Sequence, residues 1–337
     1  MQPEWIPGKY TSYGPIWTEG VTGSIAGVTM IVQLWVRMFV TAVTIAAAGQ
    51  LFPSELVELV SYAHNPVFES RGPGHWDERI RERGWILRED DVYHLWYTGY
   101  APPQSGVMHL GYATSPDGLT WTRYPNNPIY SDHWVEDMMV VKLGDTYYMF
   151  AEGANDEAQL LTSTDRVHWT RRGTLDIRRV NGEPIPPGPF GTPTALYENG
   201  TWYLYYERND EAVWLATSKD LTTWTNVQDE PVIKRGPEPY DRTMIALNQV
   251  VKYEDRYYGY YHATCPENGP DRWTMNVAVS SDLVHWVKFP GNPILGPDVS
   301  SGILVHDGTQ FRMYCMHPAV RVFFTKGTVA KSGARGE

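Results

Sequence analysis

Cysteine and positive charge are both scarce in this 337-residue sequence. The only cysteines are Cys265 and Cys315, so one disulfide at most is available, and a core of this size does not require it. Lysine and arginine total 28 against 39 aspartate and glutamate residues, which gives a net charge of −11. A nucleic-acid partner needs a basic surface, so this balance argues against one.

Motifs for metals and nucleotides are also missing. The histidines and cysteines lack the spacing of zinc ligands, and no glycine-rich loop suited to phosphate is present. We therefore predict no metal ligands and no required cofactor.

Long apolar runs are absent apart from residues 25–48, which Gln33 and Arg37 interrupt. A positive charge, a short apolar core and small residues up to Ala48 are the layout of a signal peptide. This reading predicts a secreted or periplasmic protein. A membrane anchor is the next alternative, since the run is long enough to span a bilayer, and a helix buried on the folded domain is the third. Without a signal the protein would be cytoplasmic, and a membrane is a partner only if the segment stays as an anchor.

Aromatic residues are abundant, at 13% of the chain with 14 tryptophans and 22 tyrosines. Such residues suit β-strands, where rings pack on a pleated surface. They also suit sugar binding, because the C–H faces of a sugar ring stack on aromatic rings.

A short motif recurs four times: a serine, an aspartate two residues later, and a tryptophan four residues after the aspartate. The copies are Ser115-Asp117-Trp121, Ser163-Asp165-Trp169, Ser218-Asp220-Trp224 and Ser280-Asp282-Trp286. We interpret them as scaffold, with Ser and Asp bonding a turn and Trp filling space between repeats. An Asn-Pro or Glu-Pro pair follows three copies, and a further Asn65-Pro66 precedes the first.

Five hairpins accompany these motifs, beginning near Trp85, Met139, Ala195, Val250 and Ile303. We predict an all-β fold, a five-bladed β-propeller of four-stranded antiparallel blades spanning residues 60–328. Residues 1–59 form an N-terminal extension with the apolar segment outside the propeller, and 329–337 form a C-terminal tail. The last hairpin lacks a Trp tail, so the chain near Asn65 is expected to complete that blade and close the ring.

Polar residues gather where the chain enters each innermost strand and leaves the next one, and these points share one face of the propeller. Before the first strands stand Asp77, Glu82-Arg83, Glu136-Asp137, Thr192–Thr194, Asn248-Gln249 and Ser300-Ser301; after the second strands stand Thr98–Tyr100, Glu152, Glu207-Arg208, His262 and His317. Several carboxylates facing one axis raise one another's pKa, which general acid catalysis can use.

From about residue 60 to 325 the chain resembles the five-bladed propeller glycoside hydrolases, which include families 43, 32, 68, 117 and 130. The likeness rests on the five hairpins, the acid before the innermost strand of blade 2, and the Ser-x-Asp-to-Trp tail. It implies an enzyme that cleaves a glycosidic bond in an oligo- or polysaccharide. It also implies a channel in which a structural calcium ion can be accommodated.

The resemblance implies three catalytic carboxylates. Asp77 matches the blade 1 base or nucleophile, with a structural salt bridge or turn as the alternative, and Asp137 matches the aspartate that modulates the acid's pKa. Thr192 stands where several relatives carry the general acid, so Glu207 is the first candidate for that role, Glu152 the second and His262 the third.

Substrate contacts are expected from the remaining polar set and from aromatic rings. The predicted substrate-binding residues are Arg83, Trp85, Glu136, Glu152, Arg208, Asn248, His262 and His317. Trp85 or Tyr100 would stack on a sugar, and the basic residues would bind hydroxyls or a carboxylate.

Three other functions remain open from the sequence. Arg83 and Arg208 could hold phosphate in a glycoside phosphorylase. A non-catalytic carbohydrate-binding propeller would bind sugar without turnover. Residues 115–121 approach the Asp-box of sialidases, but those enzymes have six blades.

Overall fold

The computed structural model of the protein describes residues 51–102, 108–265 and 273–326. The predicted signal peptide or anchor at 25–48 and the tail at 329–337 lie outside these residues. Within the described part of the chain, no helix is both long and apolar enough to cross a membrane.

Five sheets make up this part of the chain, and they are antiparallel apart from one added strand in the third; this confirms the predicted five-bladed propeller. Blade 1 contains β2 (Arg79–Glu89), β3 (Val92–Tyr100), β4 (His109–Ser115) and β5 (Thr122–Arg123). Blade 2 contains β6 (Glu136–Leu143), β7 (Thr146–Glu152), β8 (Ala158–Ser163) and β9 (Thr170–Thr174). Blade 3 contains β11 (Thr194–Glu198), β12 (Thr201–Glu207), β13 (Ala212–Ser218) and β14 (Thr223–Asn226), with β10 (Asp176–Arg178) beside β14 and β15 (Ile233–Lys234) beside β13. Blade 4 contains β16 (Met244–Tyr253), β17 (Arg256–Thr264), β18 (Trp273–Ser280) and β19 (Trp286–Lys288).

Blade 5 joins the two ends of the described chain, as expected from the sequence. It contains β20 (Gly302–His306), β21 (Phe311–Met316), β22 (Val320–Thr325) and the N-terminal strand β1 (Leu59–Ser61). Strand β1 pairs antiparallel with β22, with Leu59 opposite Thr325. The closure protects strand edges that an open sheet would expose.

The Asn-Pro pairs have a common structural task. The side chain of Asn65 accepts a hydrogen bond from the Val322 N–H at 2.8 Å and donates to the Val322 carbonyl at 2.7 Å. Asn127 makes the same pair of bonds to Tyr112, and Asn292 makes them to Val277. Each asparagine therefore ties a loop to the third strand of its blade.

The packed body begins upstream of residue 60. Helix α1 (Ser54–Val57) contributes Leu56, which is fully buried. The ring centroids of Phe52 and Phe289, which follows β19 of blade 4, are 4.7 Å apart. The hydroxyl of Tyr260 donates to the Leu56 carbonyl at 2.9 Å. The segment from residue 51 onward thus packs on the propeller, earlier than the predicted boundary.

The recurrent Ser-x-Asp-to-Trp motif is scaffold, as interpreted from the sequence. In blade 2, the Ser163 hydroxyl accepts the Arg166 N–H and Asp165 accepts the N–H groups of two residues that follow. Trp169 then lies edge-on to Trp96 of blade 1, with 6.1 Å between ring centroids. The tryptophans of blades 3 and 4 likewise contact the second strand of the preceding blade, through the pairs Trp224–Phe150 and Trp286–Tyr205.

Both cysteines are free and buried. The optional disulfide is therefore not formed, and the core consists of apolar packing together with buried, hydrogen-bonded polar groups.

Candidate active site

A cavity of about 300 Å³ opens where the inner strands converge. It is lined by Arg81, Glu82, Asp137, Glu152, Asp156, Pro189, Thr192, Glu207, Asn209, Asp210, His262 and Trp273. Six of these residues are acids and one is an arginine. We call this cavity the axial pocket.

Residues with left-handed backbone conformations stand where the innermost strands meet the axial pocket. Glu82, Asp137, Thr192 and Ser301 have φ values of 51°, 45°, 44° and 53°, in the left-handed region. These four residues occupy corresponding places in blades 1, 2, 3 and 5. The innermost strands β2, β6 and β16 also pair irregularly with their neighbours, close to where each strand begins or passes the pocket. Such conformations persist where surrounding structure fixes them, and they cluster at functional sites.

Asp137 lies at the start of β6 and is 6% exposed. One of its carboxylate oxygens accepts the Arg83 backbone N–H at 3.2 Å. Burial and the Glu82 charge raise the pKa of Asp137 to about 7, although Arg83 and Arg81 favour the ionised form.

Glu207 ends β12 and is 5% exposed. Its two oxygens accept backbone N–H groups, from Gly191 at 3.2 Å and from Asp210 at 2.6 Å. Burial and the nearby Asp210 charge raise the pKa of Glu207 to about 7 despite these bonds. The principal causes of this shift include no cation, which distinguishes Glu207 from Asp137.

Glu152 and Glu207 flank the same glycine. A Cβ atom added at Gly191 would lie 2.3 Å from a Glu152 oxygen and 2.8 Å from a Glu207 oxygen, so only glycine fits there. Glu152 also accepts the Thr192 N–H at 2.8 Å, and burial raises its pKa well above the ordinary value. The loop 191–192 therefore brings acids of blades 2 and 3 together.

Glu136 lies beside the pocket with 1% exposure. Its carboxylate forms an ion pair with Arg81, 2.8 Å from Nε, but the groups are not aligned as a hydrogen bond. Burial and the Asp137 charge raise the pKa of Glu136 to about 8. Carboxylate oxygens of Glu136, Glu152 and Asp156 lie within 4.8 Å of one another, a spacing that metal ligands can have. The expectation that no metal is required stays a prediction.

His262, at the end of β17, faces the pocket as a neutral ring. Its Nδ1 lies 2.7 Å from the side-chain oxygen of the buried Asn248, which accepts the ring N–H. Burial lowers the pKa of His262 to about 3. Asn248 therefore supports His262 and does not itself line the pocket.

Asp77 is not in the axial pocket. It is fully buried and pairs with Arg71 at 2.6 Å and Arg123 at 3.1 Å, while the Tyr97 hydroxyl donates to it at 3.1 Å. Asp241 of blade 4 has corresponding partners, Lys288 and Tyr261. The structure thus favours the salt-bridge alternative for Asp77 and corrects its placement among the catalytic acids.

Three predicted substrate-binding residues also lie elsewhere. Arg83 is fully buried, and Trp85 is 5% exposed within the hydrophobic core. Arg208 donates to the carbonyls of Pro186, Pro187 and Pro189, so it supports a loop. The pairing of β2 with β3 is irregular between Arg81 and Trp85, and the Arg83 guanidinium bonds to the inner strands of other blades instead of lining the pocket. The binding roles of these three residues stay predictions.

His317 stays near the rim. Its Nδ1 accepts the Glu82 N–H at 3.3 Å and lies 3.9 Å from a Glu82 carboxylate oxygen. It therefore touches a pocket residue without being one of the lining side chains.

Asp156 and Asp210 were missed in the sequence. Each is the second residue of an Asn-Asp pair soon after a glutamate that ends a second strand, and both pairs have left-handed φ values. Burial and the charge of Asp137 raise the pKa of Asp210 to about 6. The repeated Asn-Asp turn after Glu152 and Glu207 was the available signal.

A larger cleft of about 1000 Å³ lies beside blade 4. Prolines and the rings of Tyr240 and Phe289 dominate its lining, and Lys288 there is paired with Asp241. Its described lining contains one acid, where the axial pocket has six, so size alone does not mark the site of chemistry.

Comparisons with known proteins agree with this fold. No family model matches the sequence. A 1,2-β-oligomannan phosphorylase from Thermoanaerobacter sp. is 24% identical over 232 residues, which cover 63% of this chain and 74% of that protein. A glycosyl hydrolase from Bacteroides ovatus superposes with a TM-score of 0.63 at 14% identity, covering 81% of this chain and 94% of that one. A β-1,2-mannobiose phosphorylase from Listeria innocua gives a TM-score of 0.59 at 16% identity, covering 79% and 95%.

The chain is therefore a five-bladed β-propeller of the kind found in glycoside hydrolases and glycoside phosphorylases. This confirms the resemblance at the level of the superfamily, without assigning an individual family.

Proposed function

We propose that the protein hydrolyses a glycosidic bond in the axial pocket. The observation that carries this proposal is the concentration of buried acids there, with pKa values of about 7 for Asp137 and Glu207. Glycoside cleavage needs a protonated acid for the leaving oxygen and an ionised carboxylate on the other side of the sugar. Two carboxyl groups that titrate near neutral pH can supply both.

The surroundings of the two groups assign their roles. Arg83 and Arg81 favour the ionised form of Asp137, whereas the principal causes of the Glu207 shift include no cation. Glu207 is therefore the proton donor, and Asp137 is the base or nucleophile that stabilises positive charge on the sugar. Asp137 replaces Asp77, whose ion pairs keep it apart from the pocket.

Activated substrates test these roles. A Glu207→Gln variant should retain most of its activity on a dinitrophenyl glycoside, whose leaving group needs no proton, and lose it on the natural linkage. An Asp137→Ala variant should lose both activities and recover turnover with added formate or azide. The reverse pattern would exchange the two assignments, and equal losses without rescue would remove both residues from the chemistry.

Phosphorolysis is the second candidate, and the phosphorylases among the compared proteins favour it. The charge of the pocket favours hydrolysis. Arg81 is the sole arginine or lysine among the described lining residues, and Glu136 and Glu82 both pair with it. The acids that stay ionised there would repel a phosphate dianion, and one paired arginine would have to hold it.

A product assay separates the two reactions. β-1,2-linked mannobiose is the first substrate to try, followed by plant, algal and bacterial cell-wall oligosaccharides. Hydrolysis gives a free sugar at the same rate with and without phosphate. A sugar 1-phosphate seen by ³¹P NMR, formed only with phosphate, would establish the phosphorylase instead, and binding without turnover would indicate a carbohydrate-binding propeller.

A further inference from the structure

Arg83 is a charged residue whose side chain is fully buried, which is unusual among the residues that the structure describes. Its side chain is fully buried in β2, the innermost strand of blade 1. Charged side chains are rarely buried to this extent unless other groups satisfy them. Burial lowers the pKa of the guanidinium to about 10, so it remains protonated near neutral pH.

Oxygen atoms of three other blades surround this guanidinium. It donates to the Asp137 carbonyl of blade 2, to the Pro193 carbonyl and the Thr194 hydroxyl of blade 3, and to the Leu247 and Asn248 carbonyls of blade 4. The distances to the last four acceptors are 2.7, 2.8, 3.3 and 2.7 Å in that order. One planar cation thus joins the inner strands of four blades, and the Thr194 hydroxyl also donates to Leu247.

Arg83 also holds Asp137 at two points. The guanidinium donates to the Asp137 main-chain carbonyl, and the Arg83 backbone N–H donates to an Asp137 carboxylate oxygen. Between these two bonds, Asp137 keeps a left-handed backbone conformation with φ of 45°. A residue in that region persists when neighbouring contacts fix it, and here Arg83 supplies those contacts.

We propose that Arg83 is a positioning residue, whose guanidinium joins four inner strands at the propeller axis and holds the Asp137 carboxylate in the axial pocket. Its effect on catalysis rests on the proposed function of Asp137. Its effect on the geometry and charge of Asp137 does not, and it can be measured without a substrate.

The ionisation of Asp137 reports this positioning. Several other titratable groups surround its carboxylate, so the Asp137 midpoint is compared between variants that share all of them. These groups are Arg81, Glu82, Glu136, Glu152, Glu207 and Asp210. Removing the positive charge of Arg83 leaves the acids to dominate, and the Asp137 carboxyl should then ionise at higher pH.

The experiment is a ¹³C NMR titration of aspartate carboxyl carbons, with Asp137 assigned from an Asp137→Asn spectrum. Arg83→Met should raise the Asp137 midpoint by about one pH unit or more, and Arg83→Lys should restore most of it because the charge is kept. An exposed arginine that also bonds a carbonyl, Arg235, provides the control, and Arg235→Met should leave the Asp137 titration unchanged.

Kinetics complete the test once a substrate is known. We expect Arg83→Lys to lower kcat by roughly 100-fold with little change in KM, because its point charge cannot reproduce the planar set of bonds. Thr194→Val removes one acceptor while keeping the guanidinium, so it should give a smaller fall in kcat. These two variants keep the test usable if Arg83→Met does not fold.

Two outcomes would overturn the proposal. One is an Arg83→Met protein that melts earlier but has the wild-type Asp137 titration, since Arg83 would then serve stability alone. The other is an Arg83→Lys or Thr194→Val enzyme with unchanged kcat. If no glycoside is cleaved by the wild type, the proposed function fails while the NMR result still decides the role of Arg83.

Discussion

Buried acids occur in two regions of this propeller, and their partners differ. At the sides of blades 1 and 4, Asp77 and Asp241 are fully buried, and each has a cationic partner and a tyrosine hydroxyl. In the axial pocket, Asp137 and Glu207 are almost as buried but accept mainly backbone N–H groups. The ion pairs of Asp77 and Asp241 stabilise the ionised carboxylate. Asp137 and Glu207, with pKa values of about 7, can gain or lose a proton near neutral pH.

This difference separates scaffold from chemistry more clearly than residue type does. A paired carboxylate contributes to stability through its ion pairs, whereas an unpaired one costs stability and gains reactivity. Removing the charge of a pocket acid should therefore change turnover, whereas removing the charge of a paired acid should change stability.

The largest expected effect is on turnover in the axial pocket. Asp137→Asn and Glu207→Gln should each reduce kcat on a natural linkage by roughly 1000-fold, because each removes a group that transfers or balances charge. Circular dichroism should show an unchanged fold. A variant of either residue with near wild-type kcat would break the comparison.

Asp77→Asn should affect stability instead. Losing the carboxylate leaves Arg71 and Arg123 without their buried partner, so the free energy of unfolding should fall by about 3 kcal/mol in urea titrations. The folded enzyme should keep most of its kcat. Asp241→Asn is the matched variant in blade 4, and a thousandfold loss of kcat in Asp77→Asn alone would return that residue to the catalytic set.

The pH dependence of kcat/KM sharpens the contrast. Glu207 has a pKa of about 7 and must be protonated to act, so activity should fall about tenfold per pH unit above that value. It should also fall at lower pH as Asp137 becomes protonated. A profile flat from pH 6 to 9, measured on a slow substrate, would exclude Glu207 as the proton donor.

The smallest expected effect is on the pH dependence of Tm, through the buried carboxyl group of Glu136 beside the pocket. The pKa of Glu136 is about 8 in the folded protein, above its ordinary value near 4.5, so the folded state binds the proton more tightly. This contribution to stability is present at low pH and is lost as the pH rises from about 4.5 to 8. Glu136→Gln should therefore show a Tm that declines less than wild type over this interval. An identical decline of Tm in both proteins would show that the buried Glu136 carboxylate does not lower stability as the pH rises.

Repeats made the fold predictable from the sequence. The Ser-x-Asp-to-Trp motif and the Asn-Pro pairs each make the same local bonds in successive blades, so their spacing counts the blades. The site was less predictable because it depends on departures from the repeat. The pairing of β2 with β3 is irregular between Arg81 and Trp85, and no propensity indicates where such an irregularity falls.

Asp77 illustrates the second limit. An aromatic residue precedes it, as Tyr240 precedes Asp241, and such a recurrence is typical of a structural device. Its ion pairs with Arg71 and Arg123 come from other segments of blade 1, and the sequence alone does not show that they converge. Glu207 and Asp137 were selected because they stand at the ends of strands that the repeat defines, and their catalytic roles stay predictions.

The most direct test is a crystal structure of the Glu207→Gln variant with an oligosaccharide that the wild type cleaves. A sugar ring in the axial pocket, with its scissile oxygen within hydrogen-bond distance of residue 207 and its other side facing Asp137, is the predicted result. A sugar bound beside Asp77, or in the proline-lined cleft of blade 4 with the axial pocket empty, would contradict it.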